Sequence, residues 1–192
     1  GGVAIFDLDG CLFDNRPRII RIFRELASRH GHTDLYRVAN QHFLDWDQAG
    51  TMRRAGLSEG RVAGLHPDFQ RQFFLQFFSD EFTAYDHAMP GAAQLVWDCY
   101  RAGVRVVYLT GRHDAMRRGT EKSLSDWGFP FNRPRTTLIC KPDLIADDHQ
   151  YKLEALREIS LMGEIVIAVD NEPVNVNTIY EHCPSALVVW VE

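Results

Sequence analysis

Two carboxylates, Asp7 and Asp9, follow the apolar run Val3-Ala4-Ile5-Phe6 and precede Gly10. A strand so rich in Val, Ile and Phe is buried, and its end forms a rigid platform. Two acids at the mouth of such a strand repel each other and lose hydration. A divalent cation with oxygen ligands is the simplest group to offset that cost. One carboxylate could then act as nucleophile and the other as general acid/base. In isolation the same residues fit an Asp-Gly turn that closes a strand, so the remainder of the chain has to decide.

Three more polar groups stand where apolar runs end or helices begin. Thr110-Gly111 follows an apolar run at 104–109, Asp170-Asn171 follows one at 165–169, and Lys152 lies near the start of a helical pattern over 151–161. Each also has an ordinary use: a capped strand-to-helix turn, a helix-capping loop, a solvated lysine. The elements that must position them alternate between strand and helix. Helices are expected at 92–102, 114–127, 151–161 and 174–181, and strands at 104–109, 137–140, 165–169 and 186–191. Continuous apolar strands separated by helices imply a parallel sheet covered on both faces, an α/β architecture. Ligands bind such sheets at the carboxyl ends of the strands, so Asp7, Asp9, Thr110, Asp170 and Asn171 are expected to converge on one edge.

Residues 15–87 have a different pattern. Pro17 suits a first helical turn, Ile19, Ile22, Phe23 and Leu26 mark one face, and His30-Gly31 closes the helix. Thr33 is placed to cap a second helix reaching Trp46. Gly50, Gly56, Gly60 and Gly64 punctuate a looser stretch, and Pro67 opens a helix bearing Phe69, Phe73, Phe74, Phe77, Phe78 and Phe82. These phenylalanines suit core packing, with a pocket lining or a homodimer contact as the other uses. No strand is expected between residues 15 and 89. The reading is therefore a Rossmann-like core, 1–14 and 88–192, with a helical cap subdomain, 15–87, inserted after the first strand and expected over the carboxyl edge.

The 192 residues suffice for one full core and a subdomain. A formal net charge of −5 provides no global basic field for an extended nucleic-acid surface or a membrane, and no apolar run reaches transmembrane length. The first strand begins within three residues of the start, which leaves no room for a signal peptide, although Gly1-Gly2 is compatible with a leader already removed. Cys11, Cys99, Cys140 and Cys183 are far apart and form no C-x-x-C pair, which fits reduced thiols and a cytoplasmic location. Cys11, beside the paired acids, is a candidate for oxidation. The eight histidines offer no convincing zinc spacing. His113 and His149 lie near the polar segments, where a surface role is the ordinary one.

In joint order, D-L-D-G-C-L at 7–12, Y-L-T-G-R at 108–112, the helix-opening Lys152 and V-D-N at 169–171 resemble the four motifs of the haloacid dehalogenase-like superfamily, and in particular its phosphatases. The resemblance implies a Rossmann-like sheet, Mg²⁺ as cofactor and an aspartyl-phosphate intermediate. It implies that Asp7 attacks phosphorus and that Asp9 protonates the leaving oxygen and then activates water. Thr110 and the Gly111 amide would bind phosphate oxygens, and Lys152 would neutralise charge. Asp7, the Asp9 carbonyl, Asp170 and Asn171 would form the metal site, with Asn175 orienting its loop. Lys141 is the alternative lysine. Cys11 stands where the family usually has threonine. Asp-Asn replaces the common acid pair, as in phosphatases of the small carboxyl-terminal-domain type. Asp9 argues against dehalogenase chemistry, since members that cleave carbon–halogen bonds lack that acid/base.

A cap at this position resembles the arrangement in family members that act on small phosphorylated molecules. Six arginines between residues 16 and 37 face two acids, Glu25 and Asp34. Most suit a solvated helix face. Arg16 and Arg18, with Asn15, are the nearest to the acids in sequence and are candidates for binding the substrate. The 110–152 segment also resembles the 3′-phosphatase domain of phage-type polynucleotide kinases, which makes a nucleotide or nucleic-acid 3′ end the alternative substrate. A non-catalytic phosphate- or metal-binding module is the alternative of another class.

Overall fold

Burial of the first apolar run decides the architecture. The computed structural model describes residues 1–44 and 46–192. In chain order, β1 (Gly2–Phe6) and β2 (Phe13–Asp14) lead to α1 (Arg16–His30), α2 (Gln48–Arg54) and α3 (Glu59–Phe77). The chain continues through β3 (His87–Ala88), α4 (Ala92–Arg101), β4 (Arg105–His113), α5 (Arg117–Asp126), β5 (Thr136–Lys141), α6 (Asp148–Ser160), β6 (Glu164–Asp170), α7 (Pro173–His182) and β7 (Leu187–Trp190). Two compact units result: residues 1–14 with 87–192, and residues 15–86.

The first unit is built on a parallel five-stranded sheet in the order β5-β4-β1-β6-β7. In central β1, Val3 to Phe6 are each at most 2% exposed. Side chains alternate between faces. Val3 and Ile5 pack with Val107, Leu109, Leu156, Ile159 and Ile179. Ala4 and Phe6 pack with Val106, Tyr108, Val96, Leu124 and Phe129. From β1 the chain runs outward through β4 and β5, then returns to the other side of β1 for β6 and β7. The strand order thus reverses at β1, and the crevice beyond such a reversal is where open α/β sheets bind ligands.

Two boundaries differ from the sequence expectation. β4 does not stop before Thr110. It pairs Thr110 with Cys140, shifts register, and resumes at His113 opposite Lys141. A short antiparallel ribbon, β2 with β3, places a strand at His87–Ala88 where none was expected. Two residues carry no readable periodicity.

The second unit has its own core, formed by Ile22, Phe23 and Leu26 of α1, Met52 of α2, Val62, Leu65, Phe69, Phe73 and Phe77 of α3, and Phe82. Pro67 does not open the last helix; it lies inside α3. The buried stripe from Val62 to Phe77 runs through it, so burial outweighs the lost amide bond and ring clash of a mid-helix proline. Two 3₁₀ turns, Thr33–Arg37 and Asn40–His42, replace the expected second helix. Leu35 and Val38 are both buried, and a three-residue spacing suits a 3₁₀ turn.

The ends of this unit are closed by a buried hub. The Asp86 carboxylate accepts bonds from Asn15 Nδ2 (3.0 Å) and Arg18 Nε (2.7 Å) and pairs with a terminal nitrogen of Arg18. Arg18, 0% exposed, also donates to the Phe77 carbonyl (3.0 Å) and stacks on the Phe77 ring (4.4 Å). Breaking one side of a buried pair leaves an uncompensated charge and costs about 3–5 kcal/mol. Asp86→Ala is expected to lose that much in denaturant unfolding. The double change Arg18→Met with Asp86→Leu, which leaves no charge stranded, should lose much less.

Candidate active site

Adjacent parallel strands carry the two central carboxylates. β1 pairs with β6 in register Phe6 to Val169, and the Asp7 amide donates to the Val169 carbonyl (2.9 Å), so Asp7 and Asp170 sit side by side at the sheet's carboxyl edge. Lys152 reaches them from α6. It lies on the stripe Lys152, Ala155, Leu156, Ile159 that faces the sheet, and it is buried rather than solvated. Its Nζ donates to Asp7 Oδ1 (2.8 Å) and Asp170 Oδ2 (2.7 Å). Asp170 Oδ1 accepts from the Glu172 amide (2.9 Å) and from Asn175 Nδ2 (3.2 Å), which fixes its orientation.

One ammonium thus serves two buried carboxylates, and the titration of Asp7 and Lys152 reflects it. Burial pushes the Asp7 carboxyl above its ordinary range; Lys152 pulls it back, while the charges of Asp170 and Asp9 add to the rise. Burial pulls the Lys152 ammonium down, but the Asp7 and Asp170 charges more than offset this and hold it above its ordinary value. Lys152 is therefore firmly charged, and positive charge is what the cluster is short of.

The loop after β1 folds back on itself. The Leu8 carbonyl accepts amides from Cys11 (3.2 Å), Leu12 (3.0 Å) and Phe13 (2.9 Å). Gly10 adopts a left-handed φ of 83°, and a Cβ there would come within 2.5 Å of Asn171 Nδ2. Asn171 thus lies against Gly10, with its amide oxygen 3.9 Å from the Cys11 sulfur, while the Asp170 carboxylate faces Lys152. Burial, then the nearby Asp7 charge, pushes the Cys11 thiol far above its ordinary value. That shift disfavours the thiolate, the form through which a cysteine oxidises.

Asp9 is held from the other flank. Arg112 Nε donates to Asp9 Oδ1 (3.1 Å) and Oδ2 (2.9 Å), and a terminal nitrogen to Oδ1 (2.6 Å). The sequence reading of Thr110-Gly111-Arg112 assigns no role to Arg112. The available signal was strand alternation: continued past Leu109, it puts Arg112 on the buried face with Tyr108 and Thr110. Thr110 is buried, and its hydroxyl accepts the Arg112 amide (3.2 Å). Gly111 leaves room for Asp148, whose carboxylate would lie 3.3 Å from a Cβ there.

The remaining candidates separate. Lys141 is committed to Asp148 (2.6 Å) and the Leu144 carbonyl (3.3 Å), so Lys152 is the lysine that meets Asp7. Arg18 and Asn15, expected to meet a substrate, are corrected: both are buried and bound to Asp86, because a deep guanidinium needs a carboxylate partner. Arg16 opens α1 with an exposed side chain.

The donor set fits Mg²⁺. Asp7, Asp170, the Asp9 carbonyl and the Asn171 amide oxygen are oxygen donors, and three carboxylates here, Asp7, Asp9 and Asp170, face Lys152 and Arg112. Among the described residues no group of three or more His, Cys, Asp or Glu side chains forms a ready cage. Mg²⁺ is bound by one or two carboxylates and keeps several of its waters.

The family model "haloacid dehalogenase-like hydrolase" matches residues 2–176. The chain belongs to that family. No curated protein matches the sequence. Similar solved structures include a HAD-superfamily hydrolase, subfamily IA, variant 1, from Geobacter sulfurreducens (15% identity, 98% of this chain and 88% of that one, TM-score 0.55). Others are a haloacid dehalogenase-like family hydrolase from Streptococcus pneumoniae (14% identity, 93% and 80%, TM-score 0.57) and CbbY from Rhodobacter sphaeroides in complex with xylulose-(1,5)-bisphosphate (18% identity, 98% and 85%, TM-score 0.53). At these identities the likeness is one of fold. Among the described residues no helix of this HAD-like hydrolase is long and apolar enough to cross a membrane.

The two lysines should behave differently. In chelator, Lys152→Met leaves Asp7 and Asp170 with no cation between them and is expected to cost roughly 3–5 kcal/mol in denaturant unfolding. Lys141→Met strands only Asp148, whose side chain is 64% exposed, and should cost far less.

Proposed function

We propose that the protein is a Mg²⁺-dependent phosphatase that hydrolyses a phosphomonoester of a small molecule through an aspartyl-phosphate on Asp7. The observation that carries this reading is the bridging Lys152 ammonium, 2.8 Å from Asp7 and 2.7 Å from Asp170, with Asp9 two residues beyond the nucleophile. An anionic nucleophile approaching a phosphate dianion needs fixed positive charge, and the buried lysine provides it without reorganisation. Bound Mg²⁺, held by Asp7, the Asp9 carbonyl and the Asp170–Asn171 pair, would add Lewis-acid stabilisation of the charge on the transferring group.

In the first half-reaction an Asp7 oxygen forms a bond to phosphorus as the bond to the leaving oxygen breaks. Asp9 gives that oxygen its proton, and the alcohol departs. In the second half, water attacks the phosphorus of phospho-Asp7 and passes a proton to Asp9. The Asp7–phosphorus bond breaks, releasing inorganic phosphate and restoring both carboxyl groups. Thr110 and the Gly111 amide bind phosphate oxygens, and Asn175 keeps Asp170 turned toward Lys152. Asp9 is the group a dehalogenase would not need. The fold likeness to CbbY, a protein solved with a sugar bisphosphate, supports a small phosphorylated substrate. In this reading residues 15–86 serve as the cap that selects it.

Hydrolysis of 4-nitrophenyl phosphate is expected in Mg²⁺ and not in chelator, and Asp7→Asn should lose it entirely. Persistent turnover in Asp7→Asn would remove Asp7 as nucleophile. Wild-type protein should then be tried on sugar phosphates and nucleotides; silence on every member of that panel would return the protein to the class of phosphate-binding modules. Mg²⁺ should also raise the thermal midpoint of wild type, since a ligand of the native state stabilises it, and raise it less in Asp170→Asn.

A further inference from the structure

We propose that Arg112 is the positioning residue for Asp9, acting on the reaction through that carboxylate rather than by binding phosphate. The proposal rests on the reading of Asp9 as general acid/base. The side chain of Arg112 is 1% exposed and that of Asp9 is 21% exposed, so a fully buried cation holds a partly open carboxylate. Burying a guanidinium is costly unless a carboxylate and further acceptors satisfy it. Here two nitrogens share the Asp9 carboxylate in a fork that sets the plane of the group as well as its place.

Arg112 is in turn held by three elements. The Thr120 hydroxyl of α5 accepts from its other terminal nitrogen (3.3 Å), the Phe13 ring lies 5.4 Å from the guanidinium carbon, and the Arg112 amide is tied to Thr110. All of these partners belong to the sheet unit. The carboxylate rides on a loop turned by Gly10, and the guanidinium is fixed in the core, so the aim of Asp9 follows from the placement of Arg112. A group that moves protons to and from a reacting oxygen loses rate steeply with small misplacement. Arg112 should therefore matter most where the proton matters most.

The test varies the leaving group. In wild type, Arg112→Gln, Arg112→Lys, Asp9→Asn and Arg112→Gln with Asp9→Asn, kcat/KM is measured with an alkyl phosphate, whose leaving oxygen needs a proton, and with 2,4-dinitrophenyl phosphate, whose leaving group does not. Arg112→Gln is expected to lower the alkyl value by about 10²-fold or more and the dinitrophenyl value by less than about tenfold. Arg112→Lys, which keeps the charge but not the fork, should recover part of the alkyl loss. In the Asp9→Asn background Arg112→Gln should change the dinitrophenyl value by less than about twofold, because residues that act as a unit are not additive. Equal losses on both substrates, adding fully to those of Asp9→Asn, would overturn the proposal and leave Arg112 a merely structural residue. Circular dichroism and thermal midpoints check each variant. If Arg112→Gln does not fold, Arg112→Lys makes the same comparison. The phosphatase reading itself falls only if wild type is silent on these substrates and on the whole panel of sugar phosphates and nucleotides, whereas an active wild type with uniform losses strikes only this inference.

Discussion

The site depends on one ammonium group shared by two buried carboxylates. Parallel pairing of β1 with β6 leaves no choice about where Asp7 and Asp170 stand, since each follows the last paired residue of its strand or closes it. At an effective dielectric near 20, two unit charges 4 Å apart interact by about 4 kcal/mol, so such a pair of acids would work against the strand pairing that creates it. Lys152 turns that repulsion into two attractions. It does so from a helix whose other inward residues, Ala155, Leu156 and Ile159, are ordinary core. The packing of α6 on the sheet thereby fixes the charge at Asp7, so sheet, helix and site are coupled.

The same charge balance would favour a divalent cation there, as the proposed function requires. Lys152 and Arg112 are each committed to a carboxylate, and a third acid remains in the cluster. Bringing a phosphate dianion to this edge would deepen the imbalance. A hard cation with oxygen ligands relieves it without displacing either buried pair, because Mg²⁺ asks for few protein ligands and retains water. The rise of the Asp7 carboxyl above its ordinary range has the same origin: burial with too little positive charge around it.

Much of the architecture was legible because its signals are local. An apolar run followed by Asp-x-Asp-Gly, and others followed by Thr-Gly-Arg and Asp-Asn, announce strands and the polar groups at their carboxyl ends. The identity of the family was readable from the order of those groups. What escaped reading depends on partners distant in sequence. Arg18 and Asn15 fitted substrate binding by their nearness to the acids in sequence, until Asp86, 68 and 71 residues away, claimed them. Arg112 looked like part of a turn until its pairing with Asp9, 103 residues away, was seen. Pro67 was read as a helix start because local propensity favours that position, whereas the stripe from Val62 to Phe77 set the true boundaries. Lys152 shows the intermediate case: its place near a helix start was visible, but not its burial or what it would meet.

The insertion of residues 15–86 between two segments of the sheet unit follows from how each unit is closed. The loop bearing Asp9 is tied by three amides to the Leu8 carbonyl, and the Gly10 amide bonds to Phe13, before the helical unit begins. The β2–β3 ribbon pairs Phe13 with Ala88 and Asp14 with His87, so the chain leaves and re-enters the sheet unit at adjacent points. In the helical unit Asp86 binds Asn15 and Arg18, joining its last residue to its first turn. Holding the ends of a long insert together costs loop-closure entropy that grows only slowly with length, and here both units supply bonds at the junction to offset it. Each unit is also filled by its own apolar core. The positions of Asp7 and Asp9 are therefore secured by bonds within the sheet unit, and the sequence of the helical unit is free to differ without altering the backbone that carries them.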